Sequence, residues 1–321
     1  MPSGGSLAAV ATAGATATLS LAEGAGAANT AVGGFRVTLA ASAGGIRDPA
    51  GNQSSFGSTA PTDQAAPVLV SLLMQDANTN GRVDRALAGF SEALAAYSAG
   101  SGPWTLAGVP SGGSLGSVAV AGSSATLTIS EGAGPLDTAV GSFTIALASS
   151  PAGVRDPAGN QAAFAATTPT DGAKPVPVSV TSANNGATAG LIEAGDTFTV
   201  TFSETIATAV GPSAPITETD PSGAGSDRLT IAGLTAAAGV VTGSNAYILT
   251  DNTSASFSSS TISKSGALVT ATVAGTCSGT CAVNITAGIG ALVFTPDPAV
   301  QDAAGNTAAG SFTTAATFRL F

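Results

Sequence analysis

The densest set of oxygen-bearing side chains in the sequence is Asp76, Asn78, Asn80 and Asp84. In Asp76-Ala77-Asn78-Thr79-Asn80-Gly81-Arg82-Val83-Asp84, oxygens occupy positions 1, 3 and 5, glycine position 6 and an acid position 9. That is the first part of an EF-hand-type calcium loop, which presents hard oxygen ligands to a hard cation. Position 12 is Leu87, not an acid, and the flanks read as strands. The expectation is a calcium-binding β-loop closed by Asp84 or a neighbouring carboxylate, weighed against a plain polar turn. The corresponding Ser182-Ala183-Asn184-Asn185-Gly186 carries no carboxylate, so such a site is not general to the chain.

Other carboxylates recur at fixed places. Asp63 and Asp171 lie in two related linkers, Thr62-Asp63-Gln64-Ala65-Ala66-Pro67 and Thr170-Asp171-Gly172-Ala173-Lys174-Pro175. A calcium ion there would tie two domains together; the plainer reading is a capped turn. Glu92 and Glu204 each end a Phe-Ser-Glu run. A glycosidase pairs two carboxylates in one cleft. One glutamate per repeat at equivalent places therefore reads as a strand-end residue.

The most repeated stretch is Arg155-Asp156-Pro157-Ala158-Gly159-Asn160-Gln161. It occurs also as residues 47–53 and, more loosely, as Gln301-Asp302-Ala303-Ala304-Gly305-Asn306. Asp accepts backbone N–H bonds, Pro presets φ and Gly supplies a positive φ, so this reads as a fold-defining turn. Its asparagine is expected to bond the returning strand.

Histidine is absent, which removes the usual general base, the usual zinc ligand and every Ser-His-Asp or Cys-His site. The net charge of −10 argues against nucleic acid, whose phosphates need a basic footprint. No run of 18 apolar residues occurs, so no membrane span is expected in this segment. Cys277 and Cys281 read as a small disulfide loop. Trp104, Tyr97 and Tyr247 are too scattered for a sugar-stacking platform, and Thr-x-Thr pairs follow from any exposed β-face.

The elements that must position these residues are strands. Arg85 to Phe90, Ser117 to Ala121, Ala125 to Ile129 and Phe143 to Leu147 are predicted strands, with a hairpin about Gly122-Ser123. In 196–204, Phe198, Val200 and Phe202 alternate with threonines, the clearest strand pattern of all. Residues 85–96 are the one ambiguous run, and no long helix is expected.

Sliding the chain by 108 residues, the offset of Asp48 from Asp156, lays 1–65 on 109–173 without a gap. A period of that size fits one β-sandwich per repeat. The expected domains are 1–65, 66–173 and a divergent, longer 174–321. In that register the first copy lacks the counterpart of 66–108. It is expected to be an N-terminally truncated half-sandwich with an open sheet edge and an uncovered apolar face.

The D-x-A-G-N turn, the D-x5-F-S-E strand (Asp84 to Glu92, Asp196 to Glu204) and the Thr-Asp…Pro linker together resemble bacterial Ig-like repeat domains. The resemblance covers nearly the whole chain. It implies all-β, tandem Ig-like β-sandwich domains of large secreted or surface proteins, serving as spacers or adhesive units, often stiffened by calcium at domain junctions. The expected function is a non-catalytic stalk, spacer or adhesive segment at the bacterial cell surface. Its partners would be the neighbouring repeats and an unidentified surface protein or glycan. The alternative is an accessory, carbohydrate-binding region of a multi-domain secreted hydrolase.

Overall fold

The computed structural model describes residues 1–207, 213–221, 226–244, 247–248, 250–281 and 289–321. The fold is all-β, and among the described residues the only helical turns are two short 3-10 turns at Pro2–Gly4 and Pro110–Gly112.

Residues 1–65 form two separate hairpins, β1 (Ser6–Ala13) with β2 (Thr16–Ala22) and β3 (Val37–Leu39) with β4 (Phe56–Thr59). The next segment contains β5 (Leu69–Gln75), β6 (Arg85–Phe90), β7 (Trp104–Ala107), β8 (Ser114–Ala121), β9 (Ser124–Ser130), β10 (Thr144–Leu147), β11 (Phe164–Thr167) and β12 (Thr170–Asp171). One sheet runs β12-β5-β6-β9-β8 and the other β11-β10-β7. Their inward side chains, among them Met74, Ala86, Leu127, Trp104 and Ile145, share one core. Thr144 to Leu147 lies at the centre of its sheet, as its alternation predicts. The run after Phe90 continues as a bend and not as a helix.

The third segment contains β13 (Pro177–Ala183), β14 (Thr197–Phe202), β15 (Ile216–Thr219), β16 (Arg228–Ile231), β17 (Val240–Val241) and β18 (Ser254–Phe257). It continues with β19 (Thr261–Ser265), β20 (Leu268–Thr272), β21 (Ser278–Gly279), β22 (Val293–Phe294) and β23 (Phe312–Thr313). A four-stranded sheet, β13-β14-β20-β19, faces a seven-stranded one, β21-β18-β15-β16-β17-β22-β23. Phe198, Val200 and Phe202 point into a second core with Phe294 and Ile216. The insertions that set this segment apart in sequence supply β15, β18 and β19 of the two sheets.

The hairpins of 1–65 and 109–173 are nearly the same sequence in two settings. Leu127 and Ile129 on β9 are 0% and 3% exposed, whereas their counterparts Leu19 and Leu21 on β2 are 38% and 47% exposed. The cause is pairing: β9 is hydrogen-bonded to β6 and sits over a core, while β2 has β1 alone. Truncating the same residue in both copies should therefore give unequal results. Leu127→Ala is expected to destabilise the middle segment by about 2–5 kcal/mol, the usual cost of emptying a buried leucine site. Leu19→Ala should stay within about 0.5 kcal/mol, as for exposed positions. Urea unfolding followed by Trp104 fluorescence would measure the first, and circular dichroism of the full chain the second.

Candidate functional site

The repeated turn is built the same way three times. Asp156 Oδ1 accepts the Asn160 backbone N–H at 2.8 Å, and Oδ2 accepts the Asn160 side-chain amide at 2.7 Å. Asp48 with Asn52, and Asp302 with Asn306, repeat both bonds at the same lengths. Gly159 takes φ +97°, which only glycine adopts at low cost. One expectation needs correcting. Asn160 does not bond the returning strand through its side chain; its amide holds its own aspartate and the linker carbonyl of Asp63 at 3.3 Å. Asn306 likewise reaches the Asp171 carbonyl at 3.4 Å. The turn is thus a clasp on the preceding linker.

That clasp assembles a site. Asp63 from the linker, Glu92 from the Phe-Ser-Glu strand end and Asp156 from the turn bring carboxylate oxygens within 4.8 Å of one another. Asp171, Glu204 and Asp302 do the same one unit later. Their spacing in the sequence marks Asp63 and Asp171 as candidate ligands, whereas Glu92 and Glu204 read there as strand ends and Asp156 as a structural turn. All three motifs meet at the junction. The glutamates and the turn aspartates are buried there, and the linker aspartates are half-buried.

The preceding unit reaches into the site through a threonine. Thr138 bonds Ser203 Oγ at 2.6 Å and donates to Glu204 Oε1 at 2.6 Å. Ser203 Oγ accepts the Val176 N–H at 2.9 Å. The single hydrogen of the Thr138 hydroxyl goes to Glu204, so Ser203 donates to Thr138 and the relay of hydroxyls points at the carboxylate. Thr30, Ser91, Glu92 and Val68 form the same chain at the earlier junction. The signal for Thr30 and Thr138 was in the sequence, in the matched runs Thr30 to Gly33 and Thr138 to Gly141.

Burial and like charge dominate the electrostatics of the later junction. Burial, with Asp171 and Asp302 beside it, pushes Glu204 up to about 8, against the Thr138 hydrogen bond that favours the ionised form. Burial and the Asp302 charge push Asp171 up to about 6, although it accepts the Ala173 N–H. The Glu204 and Asp171 carboxyls lie side by side, and the Asp171 charge adds to burial in favouring the neutral form of Glu204. At the earlier junction burial raises Glu92, partly offset by Thr30. A divalent cation held by these three acids would offset the repulsion among them.

The Asp76 loop is arranged differently. Asp76 Oδ2 accepts the Gly81 N–H at 2.7 Å, Asp84 Oδ1 accepts the Ala77 N–H, and Asn78 and Asn80 accept backbone N–H groups further along the loop. The side-chain amides of Asn78 and Asn80 both donate to Glu131 at 2.9 Å. The sequence-predicted ligands are thus adjacent, yet their oxygens hold the loop itself. Burial raises Asp76 despite those N–H bonds. Cys277 and Cys281 are bonded to each other.

No family model, curated protein or solved structure matches the chain. Among the described residues no helix is long and apolar enough to cross a membrane.

Proposed function

We propose that this chain is part of a tandem array of Ig-like β-sandwich units, a non-catalytic stalk or spacer of a secreted or surface-attached bacterial protein, whose junctions are locked by calcium. The observation carrying this reading is the recurrence of one three-carboxylate set at two successive junctions. Each set takes one acid from the linker and two from the following unit, with a threonine from the preceding unit bonded to the glutamate. A fold-defining turn needs its Asp and Gly but has no use for a glutamate brought from 64 residues away, the separation of Glu92 from Asp156. Calcium fits the chemistry because every donor is a hard oxygen and bidentate carboxylates suit its irregular coordination. The remaining positions would be filled by waters or carbonyls.

In this role, the cation ties the linker to the unit that follows it and fixes the joint. Pro67 and Pro175 already restrict the chain after each linker. Calcium would then bind Asp63, and Asp171 at the end of β12, to the two acids of the following unit. Spin labels at Ser98→Cys and Ser263→Cys would report the distance between the second and third units. Calcium is expected to narrow that distribution, and Glu204→Gln should leave it broad at any calcium concentration. A width unaffected by calcium in the unmutated junction would contradict the lock.

A further inference from the structure

The third unit holds another set of acids, away from the junction and within its own core. The register of β15 and β16 pairs Ile216 with Ile231, Glu218 with Leu229 and Thr219 with Arg228. Continued by one residue, it sets Asp220 opposite Asp227. Glu218 and Asp220, two apart, share a face of the strand with Ile216. That face is the inner one: Ile216 and Leu229 are core residues, Glu218 is 1% exposed and Asp227 is fully buried.

A core-facing cluster of three acids is unstable unless something compensates it. Among the described residues little does. Neither oxygen of Glu218 has a hydrogen-bond partner, nor has Oδ1 of Asp220 or Oδ1 of Asp227. Arg228, next to Asp227 in sequence, points to the other face and donates to the Ala238 carbonyl. The charge that bears on Glu218 is Asp227, which adds to the effect of burial in favouring the neutral acid. Around them, Arg319 acts on the Tyr247 phenol, and Asp220 acts on Asp227.

The groups are also partly pre-positioned. Asp227 Oδ2 accepts the Tyr247 N–H at 2.7 Å and the Ile248 N–H at 3.1 Å, leaving Oδ1 directed elsewhere. The Asp220 backbone is pinned to Thr253 and Asn252 at 3.1 and 2.9 Å. Tyr247 is buried beside them, its hydroxyl accepting the Leu320 N–H at 2.7 Å.

We infer that Glu218, Asp220 and Asp227 form a divalent-cation site of the calcium class inside the third unit, independent of the junction sets. Four unpartnered carboxyl oxygens on one inner face are a hard-donor set, which a cation satisfies and a core of Ile216, Leu229 and Phe257 cannot. The set stands wider than the junction sets, which alone among the described residues bring three acids within 4.8 Å. Closure on the ion falls to Glu218, whose side chain has no hydrogen bond to break.

The test uses the full chain carrying Glu92→Gln and Glu204→Gln, which removes the glutamate of both junctions. Terbium(III), a luminescent calcium substitute, is titrated in with excitation through tyrosine, Tyr247 being the sensitiser beside the site. The expected result is saturable emission that excess calcium displaces and that Glu218→Gln reduces at least ten-fold. Asp220→Asn should act the same way, covering the case in which the Glu218 variant does not fold, as judged by circular dichroism. Absence of saturable emission in the folded Glu92→Gln/Glu204→Gln chain would overturn the inference, as would emission that neither further substitution alters. Because both junction glutamates are already gone, the outcome does not depend on whether the junctions bind calcium.

Discussion

Removing calcium with a chelator should lower the melting temperature of the third unit by roughly 10 °C, and Glu204→Gln should abolish most of that difference. A ligand that binds only the folded state stabilises it by about 4 kcal/mol when present at about a thousand times its dissociation constant. For a unit of this size each kcal/mol shifts the midpoint by about 2–4 °C. Glutamine keeps the shape of Glu204 and can still accept the Thr138 hydroxyl, so the variant should fold. It nonetheless withdraws the charge that a calcium ion needs. Scanning calorimetry with and without chelator, on both proteins, would show the difference. Without calcium the variant should be at least as stable as the unmutated chain, because the buried acid raised to about 8 is gone.

The second large effect is on pH dependence, and its sign is set by the same residues. Glu204 and Asp171 have folded-state values raised above their ordinary 4.5 and 3.8, to about 8 and about 6. A raised acid favours the folded state while it is protonated and loses that contribution as pH climbs toward the folded-state value. Without calcium, stability should therefore be fullest below about pH 4 and fall progressively up to about pH 8. Asp171 is only half-buried, and water weakens its share of the effect; a decline of roughly 5 °C between pH 5 and pH 8 is expected. With saturating calcium the slope should flatten or reverse, since the cation binds the ionised carboxylates and protons compete with it. Melting curves across this range, with calcium and with chelator, would show whether the two slopes differ.

The strands were legible because their signal is local. Phe198, Val200 and Phe202 alternate with threonine and all three are core residues, and the Gly122-Ser123 turn joins β8 to β9. Burial was less legible: Leu19 and Leu127 occupy the same place in nearly the same sequence and differ only in whether a neighbouring sheet is present. The site was legible only in pieces. Each motif was visible through its repetition, but nothing in a one-dimensional spacing says that Asp63, Glu92 and Asp156 meet. That follows from the linker crossing the end of the following sandwich, where the Asn160 amide holds it. Glu218 was hidden for the opposite reason. Ile216-Thr217-Glu218-Thr219 reads as a strand with a polar, solvated face, and only the pairing of β15 between β16 and β18 turns the glutamate inward.

The central claim is that successive units are joined through equivalent carboxylate sets that bind calcium. Isothermal titration of the calcium-free full chain, compared with the Glu92→Gln/Glu204→Gln variant, tests it most directly. The account predicts that the double variant loses two equivalents of bound calcium while keeping the fold and the inner site of the third unit. An unchanged stoichiometry, or an unmutated chain that takes up no calcium at millimolar concentration, would contradict it.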